Sequence, residues 1–217
     1  MVTLCWAAKG GSGTTVVTAS MALASPRPAL LVDLDGELPA VLGLPEPVRP
    51  GVADWLASDT SASHLADLLL DIGPTTWLLP WRTDARLCAV PSPDRWAEFA
   101  SWLHTWADEH GGDVTIDGGT GTPPAPLIEH VEHAVLVTRP CYLSLRRAVR
   151  ASSRPTGVIL VDEPGRALRR HEVEHALGAP VEAVVAIDPA IARAVDAGLL
   201  ATRLPRSLVR GLRRVAA

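Results

Sequence analysis

The feature that most constrains the fold is a glycine-rich turn near the start of the chain. Residues 8–15 read AKGGSGTT; they follow an apolar run, residues 2–7, and precede a helical pattern at residues 16–24. Glycines let a backbone approach an anion closely, and the first N–H groups of the following helix favour negative charge. The order of strand, glycine turn and helix therefore predicts a phosphate-binding loop.

The turn also contains the single lysine of the chain. Of twenty basic residues, all except Lys9 are arginine. The usual phosphate loop, G-x-x-x-x-G-K-[ST], has a lysine where this chain has Thr14. The lysine ammonium is a compact charge on a flexible chain, whereas the arginine guanidinium is planar and rigid. We therefore interpret Lys9 as a residue with a chemical role at the turn.

Apolar runs alternate with helical patterns along the rest of the chain. Strands are predicted at residues 28–34, 75–79, 113–117, 133–138, 156–161 and 181–187, and helices at 51–58, 61–70, 91–110, 143–151, 166–177, 189–197 and 207–215. Continuous apolarity is typical of strands buried on both faces of a parallel sheet. We expect an α/β fold, a doubly wound, mostly parallel sheet with helices on both faces, with strand 28–34 beside strand 2–7.

Length and composition fit one domain that spans residues 1–217. No apolar run reaches the ~18 residues of a membrane span, and no basic segment precedes an apolar signal core, so we expect a cytoplasmic protein. Cys5, Cys88 and Cys141 are widely spaced and include no C-x-x-C pair. This spacing argues against a disulfide framework, a zinc ribbon or an iron–sulfur cluster.

Charge is distributed unevenly along the sequence. Residues 1–140 carry seven cations and seventeen acids, whereas residues 141–217 carry thirteen arginines and seven acids. The basic C-terminal half could face nucleic acid, an acidic lipid surface or an acidic protein. Arginines on solvated helix faces explain the same pattern equally well.

Acidic residues lie at the ends of two predicted strands, Asp33 and Asp35 at one and Asp117 at the other. Together with the loop, they resemble the ParA/MinD superfamily of P-loop ATPases, whose deviant loop reads K-G-G-x-G-K-[ST]. The segments LLVDLDGELPAVLGL, HAVLVTRPCYLSLRRA and GAPVEAVVAIDPAIARAVDAG are also similar to that family. The resemblance runs the full length of the chain and implies a P-loop NTPase fold.

The resemblance implies ATP and Mg²⁺ as cofactors and a homodimer that encloses the nucleotide. It assigns Lys9 to the phosphates of a nucleotide in the partner subunit and Asp35 to the attacking water, as the two catalytic residues. Metal-shell positions fall on Thr15, Asp33 and Asp117. The nucleotide-binding positions are Lys9, Gly10, Gly11, Ser12, Gly13, Thr14 and Thr15 in the loop, with Asp162 and Pro189 on the adenine side.

Thr14 departs from the family pattern because it offers no charge to the phosphates. Either Lys9 compensates, or hydrolysis is reduced and the protein binds nucleotide chiefly as a switch. The leading hypothesis is a ParA/MinD-like ATPase for DNA partition, division-site placement or positioning of a pilus or secretion apparatus. The alternative is a non-hydrolysing scaffold that acts through protein partners.

Three weaker patterns have simpler explanations. His171, Glu172 and His175 match H-E-x-x-H, but we expect a solvated helix face there. The basic amphipathic tail, residues 204–217, is short and lacks an aromatic anchor, so we favour a packed terminal helix over membrane contact. Its arginines could, with Arg146, Arg147, Arg150 and Arg154, contact DNA nonspecifically.

Overall fold

A computed structural model describes residues 1–82, 91–213 and 215 of the chain. Its strands form one eight-stranded sheet with the order β3-β4-β2-β5-β1-β6-β7-β8. The strands are β1 (Val2–Ala7), β2 (Ala29–Asp33), β3 (Leu70–Gly73), β4 (Thr76–Leu79), β5 (Asp113–Thr120), β6 (His133–Thr138), β7 (Gly157–Asp162) and β8 (Val181–Ala186). Neighbouring strands run parallel except for β3, which pairs antiparallel with β4 at the edge.

Helices cover both faces of this sheet. They are α1 (Thr14–Ala24), α2 (Leu38–Leu42), α3 (Val52–Leu56), α4 (Pro93–His110), α5 (Ala125–Ile128), α6 (Tyr142–Arg150), α7 (Arg170–Leu177), α8 (Pro189–Asp196) and α9 (Arg206–Leu212), with a 3-10 helix at Ala62–Leu68. Helices α1, α2 and α9 bury side chains against one face, and α3, α4 and α5 against the other. The expected α/β class, with a mostly parallel sheet and helices on both faces, is confirmed.

Helix α4 shows how local sequence produces one of these layers. The Ser92 side chain caps its first turn by accepting the Arg95 N–H, and Gly111 ends the helix at a φ of 57°. The helix buries Trp96, Phe99, Leu103 and Trp106 in the core. The apolar spacing of this helix therefore serves packing.

The order of the strands corrects one expectation. Strand β2 does not lie beside β1, because β5 is inserted between them. The register pairs Asp33 of β2 with Asp117 of β5 and Cys5 of β1 with the same Asp117. Periodicity identifies a strand but not the neighbour that a long crossover gives it, so this insertion was not visible in the sequence.

Several element boundaries also differ from the expectations. The predicted helix at 61–70 is a 3-10 helix followed by the unpredicted edge strand β3. The strand predicted to end at residue 117 continues to Thr120, with a shifted register opposite β1. Helix α7 begins at Arg170 because Pro164 and Gly165 form a turn before it. The short helices α2 and α5 were not predicted.

The terminal helix α9 packs against the sheet with Leu208 and Leu212 buried. This is the packed arrangement that the sequence favoured for the tail. None of the described helices is long and apolar enough to cross a membrane. Cys88 and Arg214 lie outside the described residues.

Candidate functional site

The turn between β1 and α1 presents an open helix N-terminus. Gly11 and Gly13 have φ angles of 76° and 88°, which glycine adopts without strain. No side chain caps α1, and its first turn carries no acid. The backbone N–H groups from Gly10 to Val16 donate to no other described residue. Such a row of open donors at the positive end of a helix is suited to an anion.

The turn is braced from within and from the neighbouring strand. The Ser12 hydroxyl donates to the Lys9 carbonyl at 2.7 Å, and the Gly121 N–H donates to the Ala7 carbonyl at 2.8 Å. The Lys9 ammonium is half-buried, donates to the Gly10 carbonyl at 3.3 Å and forms no ion pair within the described part of the chain. Lys9 is therefore available to a ligand or a second subunit.

Thr14 begins α1 and is almost fully buried, with 6% of its surface exposed. Its carbonyl accepts the Thr18 hydroxyl at 2.8 Å. The following residue, Thr15, is less buried. The loop thus lacks a charged side chain at the position where a phosphate loop usually carries lysine.

Asp33 lies at the end of β2 and is fully buried. Its Oδ1 accepts the Asp35 N–H at 3.1 Å and the Gly36 N–H at 2.7 Å, and its Oδ2 accepts the Leu38 N–H at 3.3 Å. Asp33 therefore shapes the turn that carries Asp35 beyond the strand. A metal contact by Asp33 would use its remaining lone pairs, directly or through water.

Asp117 lies opposite Asp33 in the register and is also fully buried. Its Oδ1 accepts the Gly119 N–H at 3.1 Å, whereas its Oδ2 has no hydrogen-bond partner among the described residues. The Thr15 hydroxyl lies near enough to favour the charged form of this carboxyl. An orphaned carboxylate oxygen beside a threonine hydroxyl fits the oxygen ligands that Mg²⁺ prefers.

Burial dominates the electrostatics of this acid pair. Removal from water raises the pKa of Asp33 to about 7, with the Asp117 charge adding to the rise and the backbone N–H groups opposing it. Removal from water likewise raises the pKa of Asp117 to about 6. A divalent cation at the pair would reverse both changes because it stabilises the charged carboxylates.

Asp35 is exposed, and its carboxylate lies directly over Gly119 of β5. A Cβ at Gly119 would collide with that carboxylate, and Gly119 has a φ of 61°. The glycine therefore brings Asp35 to the same sheet edge as Asp117. Sequence reasoning missed this role of Gly119, although the glycine pair after the strand acid was a signal for it.

The adenine-side candidates lie at the same edge, farther along the sheet. The Ile187 N–H donates to the Asp162 carbonyl at 3.1 Å, so the ends of β7 and β8 are joined. A Cβ at Gly13 would lie 4.0 Å from the Val161 side chain, one residue before Asp162. Pro189 is the exposed first residue of α8. Asp162 and Pro189 therefore lie on the same side of the sheet as the loop, and neither contacts Lys9 or Thr15 in the described structure.

The described residues of the competing metal patterns are not gathered into one cluster. No group of three or more His, Cys, Asp or Glu within residues 1–82, 91–213 and 215 is arranged to hold a metal ion. His171 and His175 are exposed, and Glu172 accepts the Arg169 N–H at the start of α7. Cys5 is buried in the core, whereas Cys141 precedes α6.

Known structures share this architecture. The MinD septum site-determining protein from Pyrococcus horikoshii, complexed with Mg-ADP, matches with a TM-score of 0.76 and 22% identity over 100% of this chain and 95% of that chain. A ParA family ATPase from Chlorobium tepidum matches with a TM-score of 0.73 and 20% identity over 99% and 98%. The ATP complex of a Cyanothece McdA variant matches with a TM-score of 0.74 and 15% identity over 98% and 94%.

The chain has the fold of the MinD and ParA ATPases. The matched proteins were solved with Mg-ADP or ATP in two of these three cases. At these identities the likeness establishes the fold alone. No protein-family model and no curated protein matches the sequence.

Proposed function

We propose that this protein binds ATP with Mg²⁺ at the turn between β1 and α1, and that the nucleotide controls a homodimer that positions a larger cellular structure. The observation that carries the proposal is the row of open N–H groups from Gly10 to Val16, beside the buried acid pair Asp33 and Asp117. The fold shared with MinD, ParA and McdA supports it.

In this proposal the chain binds the nucleotide mainly through its backbone. The N–H groups of the loop and the α1 dipole would hold the phosphate oxygens, and the Thr15 hydroxyl and Asp117 Oδ2 would hold the metal. Mg²⁺ would neutralise charge on the phosphates and on both buried acids. Binding would therefore release the protons that burial retains on Asp33 and Asp117.

Hydrolysis requires an acceptor that orients water and a cation that meets the developing charge. Asp35 has an exposed carboxylate at this edge, and we assign to it the role of orienting the attacking water. Lys9 has no acidic partner in the described structure, and we assign it to the phosphates of the second subunit. Each active site would then be complete only in the dimer, which links turnover to association.

The basic C-terminal half is the surface that we propose for cargo. Helix α6 exposes Arg146, Arg147 and Arg150 on its solvent face, and Arg154 follows it. DNA or an acidic protein would suit this charge. Nonspecific DNA binding would weaken steeply as salt rises, so retention on DNA across a salt series tests it; absence of binding at the lowest salt would exclude DNA.

A second function, a scaffold that binds nucleotide without hydrolysing it, is favoured by Thr14. A neutral side chain at that position removes a charged phosphate contact, and such a contact contributes about 1.5–3 kcal/mol. In a scaffold, the nucleotide would stabilise the dimer while protein partners carry the function.

ATP turnover and molar mass, measured together, separate these functions. We expect ATP to shift the wild-type protein to a dimer, and we expect the Lys9→Ala variant to remain monomeric. Asp35→Ala should abolish turnover and keep the dimer, while Asp71→Ala removes an exposed acid on β3 as the matched control. Absence of turnover in the wild type with an ATP-dependent dimer would select the scaffold. A monomer with and without ATP would refute the dimer proposal.

A further inference from the structure

A cation is missing from the proposed nucleotide site, and the fold supplies one nearby. Thr14 replaces the lysine that usually contacts the phosphates bound by its own loop. Arg139 follows the last residue of β6 at the edge of the sheet where the loop lies. It was not a candidate in the sequence, although a cation directly after the strand was visible.

The path of the loop brings it across the end of β6. Strand β6 lies between β1 and β7. The loop leaves β1 at Ala7, and Gly13 comes beside Val161 of β7. The register pairs Trp6 with Leu136, and β1 ends one residue after this pair whereas β6 ends two residues after it. Arg139 therefore leaves the sheet at the same edge as the first residues of the loop.

Within the described part of the chain the Arg139 guanidinium has few partners, and 38% of its side chain is exposed. Its Nε is buried and has no hydrogen-bond partner among the described residues. Its one ion pair among the described residues is with Glu163, whose Oε2 lies 3.9 Å from the Arg139 Nη1, beyond hydrogen-bond distance. Arg166 already occupies Glu163 with two hydrogen bonds of 2.8 and 2.7 Å. A bound anion would supply the acceptor that this donor lacks.

We propose that Arg139 contacts the phosphates of the nucleotide bound by its own subunit and takes the place of the lysine absent at position 14. The inference rests on the proposed nucleotide site. A guanidinium presents several donors in a fixed plane, so it can bridge two phosphate oxygens. Arg139 and Asp117 then have complementary roles. The unpartnered Arg139 Nε would donate to the phosphates, and the unpartnered Asp117 Oδ2 would bind the metal.

Equilibrium binding of ATP, ADP and AMP tests this role. Arg139→Ala should weaken ATP and ADP binding about 10- to 100-fold, the usual effect of a lost charge-assisted hydrogen bond, and should change AMP binding little. Arg139→Lys should recover part of the loss because it restores the charge. Arg49→Ala removes an exposed arginine from the loop before α3 and is the matched control.

A double substitution separates this role from a structural one. If Arg139 replaces the missing lysine, Thr14→Lys should restore ATP binding in the Arg139→Ala background, so the two changes are not additive. The ligand-free Arg139→Ala protein should melt at or above the wild-type temperature, because the change removes an unsatisfied buried donor. A marked fall in the melting temperature would show that Arg139 is structural.

The outcomes distinguish this inference from the proposed function. If the wild-type protein binds none of the three nucleotides, the nucleotide site itself is wrong. If the wild type binds ATP and Arg139→Ala binds it as tightly as Arg49→Ala does, only the role of Arg139 is wrong. An equal loss for AMP and ATP would place Arg139 away from the terminal phosphates and would also overturn the inference.

Discussion

The buried acid pair predicts that the nucleotide-free protein loses stability as pH rises from about 4 to about 7. Burial raises the pKa of Asp33 from 3.8 to about 7 and that of Asp117 from 3.8 to about 6. At a pH between the unfolded-state and folded-state pKa values of these two carboxyls, the folded protein binds more protons than the unfolded chain does. The free energy of unfolding therefore falls as pH rises through this window.

The size of the effect follows from the two shifts. One pKa unit corresponds to about 1.4 kcal/mol, so charging Asp33 costs roughly 4 kcal/mol and charging Asp117 roughly 3 kcal/mol. The two charges repel each other, so these values are coupled and do not simply add. Even the larger one alone is a large part of the ~5–15 kcal/mol that stabilises a typical domain.

Urea unfolding, followed by tryptophan fluorescence in a metal chelator, measures this effect. The chain has seven tryptophans, and Trp6, Trp55, Trp96 and Trp106 are buried. We expect the free energy of unfolding to fall by several kcal/mol between about pH 4.5 and about pH 7, with a shallower fall in Asp117→Asn. The pKa values of Glu174 and Asp188 are lowered, so these two groups change the free energy of unfolding only at lower pH. Stability that is constant or rises across the window would refute the account of the pair.

Three further predictions concern single positions. Gly119→Ala should destabilise the protein by more than Gly111→Ala. Both residues have a positive φ, which costs alanine about 1–2 kcal/mol, but only at Gly119 would the added methyl group also collide with Asp35. Equal urea midpoints would contradict this, and ATP turnover should fall in Gly119→Ala alone. Phe99→Ala should lose about 3–5 kcal/mol of stability since Phe99 is fully buried, and a loss below about 1 kcal/mol would contradict the packing of α4. Thr14→Lys should tighten ATP binding, and an unchanged dissociation constant in a titration would show that position 14 does not face the phosphates.

Much of the fold was predictable because its signals are local. The buried strands are mostly apolar, and Trp96, Phe99, Leu103 and Trp106 recur at helical spacing on the core face of α4. The glycine turn was also local, since the residues that form it are consecutive. These features depend on neighbours in sequence, so composition and periodicity identify them.

The remaining features depend on pairing between distant segments. The insertion of β5 between β1 and β2 aligns Asp33 with Asp117, and no periodicity indicates which strands become neighbours. The contact between Asp35 and Gly119 follows from the same insertion. Asp33 was predicted as a metal-shell residue, and its three hydrogen bonds to the following turn became visible only in the structure.

Arg139 illustrates the same limit at the site itself. Its position after β6 could be read from the sequence, but its unpartnered Nε depends on how Glu163 pairs with Arg166. Three segments determine that arrangement: the end of β6, the end of β7 and the turn before α7. The sequence shows each of these segments, but it does not show that Arg166 already pairs with the Glu163 carboxylate.

Hydrogen exchange at the backbone of the loop tests the central claim most directly. The N–H groups from Gly10 to Val16 have no partner among the described residues, so their amides should exchange quickly in the nucleotide-free protein. With ATP and Mg²⁺ at concentrations that saturate binding, we predict strong protection of the amides in this stretch. Unchanged exchange there, or protection confined to another part of the chain, would contradict a nucleotide site at this helix N-terminus.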